Sequence, residues 1–188
     1  HDIGGMPAAL ALLATLLFSA YLALYPMLAS GVFRFMHARA IEHHAHDAAL
    51  QMPRLLAPLL FAASWTAFEI LRGYLFTGFP WLSLGYAEAP PSPLAGYAPV
   101  LGVYGLSFIT AWLAALTGEF WLRLRNQSWR WSSTLMPVSL VFIALIFGGV
   151  GLSQIRWTQP EGPPLKVSLL QGNVPQSMKW QADQYVQT

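Results

Sequence analysis

Hydrophobic positions along this chain come in long runs without a charge, separated by short basic gaps. Residues 3–33 contain no Asp, Glu, Lys or Arg. A helix needs about 20 apolar residues to cross a bilayer, so the pattern predicts a first span over residues 7–30. Pro7 suits its first turn, and Pro26 is placed to bend it near the far end. A polar segment, residues 34–54, follows with Arg34, Arg39 and Arg54 and with His37, His43, His44 and His46. The next apolar run predicts a second span over residues 55–71. Residues 89–118 again lack charge and lead into a predicted third span, residues 100–122, before Arg123, Arg125 and Arg130. A fourth, residues 132–155, fills the charge-free run that ends at Arg156. Gly102, Gly105, Ala111, Ala114, Ala115 and Gly118 in the third span offer small faces for close helix contact, as do Gly148, Gly149 and Gly151 in the fourth.

The stretch between the second and third spans breaks this pattern. EILRGYLFTGFPWLSLGY (residues 69–86) puts Glu69 and Arg72 on one helical face, then sets Gly73, Gly78 and Pro80 among Phe, Trp, Leu and Tyr. It is too apolar for an ordinary exposed loop and too rich in breakers for a regular helix. Irregular backbone at membrane depth persists only where protein or a water-filled cavity satisfies its N–H and C=O groups. The stretch therefore reads as the wall or floor of a site. In the Pro-rich connection that follows, residues 87–99, Glu88 is the only charge.

Composition supports a membrane protein. Of the 188 residues 55% are hydrophobic and 10% charged, with a mean hydropathy of +0.46, whereas a soluble domain carries about 25% charged residues. The net charge of +2 is too slight and too scattered for a nucleic-acid partner. With no cysteine, these residues hold no disulfide, thiolate metal site or cysteine nucleophile.

Arginines predict the sidedness, because short cytoplasmic loops are enriched in Lys and Arg. Arg34, Arg39 and Arg54 share one gap and Arg123, Arg125 and Arg130 another, while residues 1–6 and 76–99 have none. Both basic segments are expected in the cytoplasm, with residues 76–99 and everything after Arg156 on the opposite side.

After Arg156 the composition changes. TQPEGPP is a linker, and LKVSLLQGNVPQSMKW begins like a buried strand, residues 166–171, followed by a turn at Gln171, Gly172 and Asn173. One strand cannot fold alone, and the chain opens HDIGGMP without a signal peptide. It is therefore expected to be an internal piece of a longer protein. Residues 1–156 form an all-α polytopic membrane bundle with four spans, 157–164 the linker, and 165–188 the start of a soluble domain.

Several residues could carry chemistry. About 14 residues at ~1.5 Å each place Glu69 roughly 21 Å along the second span, toward the outer interface, where a charge costs less than the about 2.5–3.5 kcal/mol of the bilayer centre. A structural ion pair, a loop clamp and a direct substrate contact all fit Glu69 and Arg72. Trp65, four residues before Glu69, either shares its face or anchors the interface. His43, His44 and His46 have the residue type for a metal but no accompanying Cys or carboxylate spacing, so a solvated loop is expected and no metal or cofactor is predicted. Trp81, Tyr86, Tyr97 and Trp180 could line a lipid-facing mouth or belt the interface.

WTAFEILRGYLFTGFPWLSLGY (residues 65–86), YAPVLG (97–102), KVSLLQGNVPQSMKW (166–180) and GGMP (4–7) closely resemble the bacterial apolipoprotein N-acyltransferases. The resemblance implies a multi-pass enzyme of the inner membrane whose periplasmic nitrilase-like α/β domain begins with the strand at residues 166–171. Its activity moves a fatty acyl group from a phospholipid to the N-terminal diacylglyceryl-cysteine of apolipoproteins. A Glu, Lys and Cys triad would act by nucleophilic catalysis with oxyanion stabilisation. None of that triad falls on these residues, so the piece alone is expected to be inactive. Gly78 and Trp81 match the family's GFPW segment, and Trp180 matches a tryptophan that the family uses around its substrate. With Glu69 and Arg72 they form the candidate substrate-binding set. The partners implied are the phospholipid donor, the apolipoprotein acceptor and membrane lipids. The His-rich segment matches no family pattern. A homologue without the triad, or a transporter or scaffold bundle relaying ions through Glu69 and Arg72, are the rival readings.

Overall fold

The computed structural model describes residues 7–44, 56–125 and 131–171. The apolar runs become four helices: α1 (Ala8–His44), α2 (Leu56–Tyr74), α3 (Ala98–Arg125) and α4 (Trp131–Ser153). Three short 3-10 turns, Leu75–Thr77, Leu84–Glu88 and Pro93–Tyr97, connect α2 to α3.

Three helical segments, Ala8–Glu42, Pro93–Leu122 and Met136–Ser153, are long and apolar enough to cross a membrane. The predicted second span, residues 55–71, is a helix but does not join them. Its 19 residues reach about 28 Å at ~1.5 Å each, so length is not what separates it. Ser64, Thr66 and Glu69 are among its buried positions, and polar side chains turned toward protein lower its hydropathy without meeting lipid.

α1 outruns the predicted end at residue 30, so Arg34, His37, Arg39 and Glu42 stand on helical turns and not in a loop. No Gly or Pro falls between Val32 and His44 to stop it. Side chains also line up along these turns: His37 stacks on Phe33 at 5.5 Å, and Arg39 lies over the Phe35 ring at 5.1 Å. The side chains of His43 and His44, and residues His46, Arg54, Arg130, Gly172, Asn173 and Trp180, lie outside what is described.

Leu24–Thr158 forms one compact unit, and His1–Ala23 with Gln159–Thr188 a second. In the second, residues 159–171 are neither helix nor strand, and Leu165, Val167, Leu169 and Leu170 are 76–98% exposed. The strand predicted over residues 166–171 is thus not formed. A strand needs a neighbour for its backbone groups and cover for its apolar face, and no strand exists among the described residues to supply them.

Within Leu24–Thr158, α2 packs along α3, and a core of Leu94, Leu106 and Ile109 is closed by Tyr97, Leu113 and Leu145. Gly148 and Gly149 of α4 do permit close packing, but α4 packs on the 3-10 turn Pro93–Tyr97 more than on a helix. A Cβ on Gly149 would strike the Pro93 carbonyl, one on Gly148 the Tyr97 hydroxyl, and one on Gly96 the Gly149 carbonyl. The Tyr97 hydroxyl donates to the Leu145 carbonyl at 3.0 Å, which locks the turn to α4. Gly118 and Gly151, by contrast, face open space.

Candidate functional site

The end of α2 grips the loop that follows it at its middle and at its far end. The Phe79 N–H donates to the Arg72 carbonyl at 2.8 Å, and the Leu84 N–H donates to Glu69 Oε1 at 2.9 Å. The same oxygen accepts the Trp65 indole N–H at 3.0 Å, so the preceding helical turn fixes the carboxylate before the loop reaches it. Trp65 is therefore part of the clamp. Two positions one turn apart on one helix hold a compact loop closed at its root.

The backbone between these anchors is strained. Phe76 (φ 51), Thr77 (φ 73), Leu82 (φ 61) and Gly78 (φ 86) all occupy the left-handed region, where each non-glycine residue costs of order 1–3 kcal/mol. Gly78 also passes so close to α2 that a Cβ would meet the Gly73 carbonyl, and a Cβ on Gly73 would meet the Tyr104 hydroxyl. This layering of loop on helix end on α3 explains both glycines. Outward the loop presents apolar surface: Tyr74, Phe76, Trp81 and Leu82 are 67–80% exposed. Strain kept in a loop of exposed aromatic residues points to function.

Beyond the loop, the 3-10 turn Leu84–Glu88 is pinned to α3. The Gly85 N–H donates to Ser107 Oγ at 2.8 Å, and a Cβ on Gly85 would strike the Val103 carbonyl. The Thr110 hydroxyl donates to Glu88 Oε1 at 2.9 Å. The Ser92 hydroxyl donates to Glu88 Oε2 and itself accepts the Leu94 N–H at 3.2 Å. Glu88, Ser107 and Thr110 were not among the expected site residues. Their signals in the sequence are Glu88 as the only charge of its connection and the hydroxyls of Ser107 and Thr110 three apart, hence on one face, in the apolar first half of α3.

Glu69 and Arg72 do not pair. Glu69 is 6% exposed and, among the described residues, its Oε2 has no partner, while Arg72 keeps Nε and Nη2 shielded and unpartnered. The two residues stand three apart on α2, and both act electrostatically on Tyr104. Of the structural roles open to Glu69, the geometry is that of a clamp. Trp81 and Tyr86 are exposed, whereas Tyr97 turns inward to α4 and leaves the candidate mouth.

Among the described residues no three His, Asp or Glu side chains gather to hold a metal. An open groove of about 440 Å³ runs between the Pro-rich connection and the end of α4, walled by Pro91, Pro93, Pro99, Val150, Ile155 and Trp157 among others. It carries no charged side chain and suits an alkyl chain, not a polar reactant.

Three helical segments long and apolar enough to cross a membrane mark a membrane protein, one helix end of which clamps an aromatic loop. The description "apolipoprotein N-acyltransferase N-terminal domain" matches residues 1–116. The chain is 48% identical over 192 residues to an apolipoprotein N-acyltransferase of Nitrosomonas europaea, covering 100% of this chain and 33% of that protein. It is 43% identical over 182 residues to one of Ralstonia nicotianae (96% and 31%), and 37% identical over 191 residues to one of Neisseria meningitidis serogroup B (100% and 33%). The chain belongs to the apolipoprotein N-acyltransferase family. It spans about a third of the length of these curated relatives.

Proposed function

We propose that this chain is the membrane-embedded, lipid-facing part of an enzyme that transfers a fatty acyl group from a phospholipid to the N-terminal diacylglyceryl-cysteine of apolipoproteins. Family membership supports the reaction class. The observation that carries the role of these residues is the strained aromatic loop clamped by Glu69. In this reading all four helices cross the bacterial inner membrane, with α2, which packs along α3, as the second span. The basic segments face the cytoplasm, and residues 76–99 share the periplasmic side with everything after residue 157. Residues 1–156 are the membrane domain, 157–164 the linker, and 165–188 the opening of a nitrilase-like domain whose first strand pairs once its neighbours are present.

Bond-making then belongs to a Glu, Lys and Cys triad in that domain. The Cys thiolate attacks the phospholipid ester carbonyl, and the lysophospholipid leaves as its alcohol. The acyl chain waits as a thioester until the α-amine of the apolipoprotein cysteine displaces the thiolate. What this chain contributes is orientation. Trp81 and Trp180 offer rigid apolar surface to acyl chains, Gly78 lets the loop lie against Gly73, and Glu69 and Arg72 serve the polar end.

In the full-length enzyme, Trp81→Ala and Trp180→Ala are expected to slow acyl transfer at least about tenfold, a loss of about 1.4 kcal/mol of transition-state stabilisation, with membrane insertion unchanged. Wild-type turnover in both variants would remove these tryptophans from the site.

A further inference from the structure

The clamp uses Glu69 and leaves Arg72 idle. Two guanidinium donors, Nε and Nη2, are shielded from solvent with no acceptor. A desolvated cation whose donors find no acceptor is costly. Arg72 stands in the last turn of α2, where the negative end of the helix dipole offsets part of that cost. A dipole, however, asks only for positive charge and leaves the hydrogen-bond fork unanswered. A planar fork with two free donors matches paired oxygens of a phosphate group.

The surroundings narrow the ligand. The Tyr104 hydroxyl lies against Gly73, the residue after Arg72, and is a phenol donor of the kind that completes an oxyanion site. Glu69 stands one helical turn before Arg72 on α2, and a carboxylate one turn away disfavours a dianion such as inorganic phosphate more than a singly charged phosphodiester. The loop begins directly after Arg72 and exposes Phe76, Trp81 and Leu82. An occupant with one phosphodiester and apolar tails answers both features.

We propose that Arg72 is the phosphate-binding group of the site, its Nε and Nη2 edge taking the phosphodiester of a phospholipid whose tails lie on the aromatic loop. The proposal rests on the reading that this loop faces the lipid donor and names the atoms that hold its headgroup. Arg72 as a whole is only half-buried; the proposal requires the side chains that shield its Nε and Nη2 edge to move aside for the headgroup.

Native mass spectrometry of the full-length enzyme released from detergent reads this directly. The wild type is expected to retain phosphatidylglycerol at least about tenfold better than Arg72→Gln, the loss of a charge-assisted hydrogen-bond pair. Diacylglycerol, with the same tails and no phosphate, is expected to be held equally by both. Arg72→Lys keeps the charge without the fork and is expected to fall between them; it decides the matter if Arg72→Gln does not insert. Equal retention of phosphatidylglycerol by the wild type and the variant that inserts would overturn the proposal. So would its displacement by millimolar inorganic phosphate, which would make this a free-phosphate site. Because no acyl transfer is read, a protein that retains lipid through Arg72 but transfers nothing fails the proposed function and not the Arg72 assignment.

Discussion

The backbone N–H of Leu84 and the carboxylate of Glu69 meet at 2.9 Å across fifteen positions of chain, and this one contact closes the aromatic loop onto the helix that precedes it. Glu69 Oε1 serves two donors at once, Trp65 and Leu84, and neither donor is charged. An amide oxygen can therefore replace it. Glu69→Gln is expected to stay within about 1 kcal/mol of the wild type in thermal unfolding in detergent. Glu69→Leu strands both donors at about 1–3 kcal/mol each and should speed proteolytic cutting between Gly73 and Leu84. Equal destabilisation by both substitutions would mean that the negative charge, not the acceptor, holds the loop.

A second test concerns the layer beneath the loop. A Cβ on Gly73 meets the Tyr104 hydroxyl, while the ring carbon behind that oxygen is 3.6 Å away. Gly73→Ala is then expected to destabilise by about 1–3 kcal/mol through overpacking, and Tyr104→Phe in the same protein should return most of the loss. A double-mutant cycle on unfolding midpoints is expected to give a coupling of at least about 0.5 kcal/mol. Additive losses would show that the clash lies elsewhere.

What the sequence makes legible here follows from the range of each signal. Charge-free runs place α1, α3 and α4 because lipid imposes the pattern on every residue of a span. The breakers from Gly73 to Pro80 mark the irregular stretch because each acts on its own backbone. The Glu69 to Leu84 contact has no such mark, since every residue except proline offers an N–H and nothing in the letters says which one a carboxylate will find. Gly148 and Gly149 of α4 are legible as sites of close approach, though Gly151 is not one, and their partner is a 3-10 turn that periodicity cannot foresee. Residues 166–171 carry strand chemistry without forming a strand, because pairing is decided by neighbours far along a chain.

The α4 glycines also supply a contrast within a single helix. At Gly149 an added Cβ runs into the Pro93 carbonyl, a backbone atom that cannot rotate away, whereas at Gly151 nothing lies within 4 Å. The intrinsic preference of helices for alanine over glycine, about 1 kcal/mol, acts at both positions, so it cancels in the comparison and leaves the packing difference. Gly151→Ala is expected to match or slightly exceed the wild type in thermal stability. Gly149→Ala must push the 3-10 turn Pro93–Tyr97 off α4, strain the Tyr97 to Leu145 hydrogen bond and open the Leu94, Leu106 and Ile109 core. A net loss of about 1–3 kcal/mol is expected, read as a lower unfolding midpoint with earlier cleavage in the Pro-rich connection. If the two variants unfold alike, the turn does not rest on α4 through these glycines.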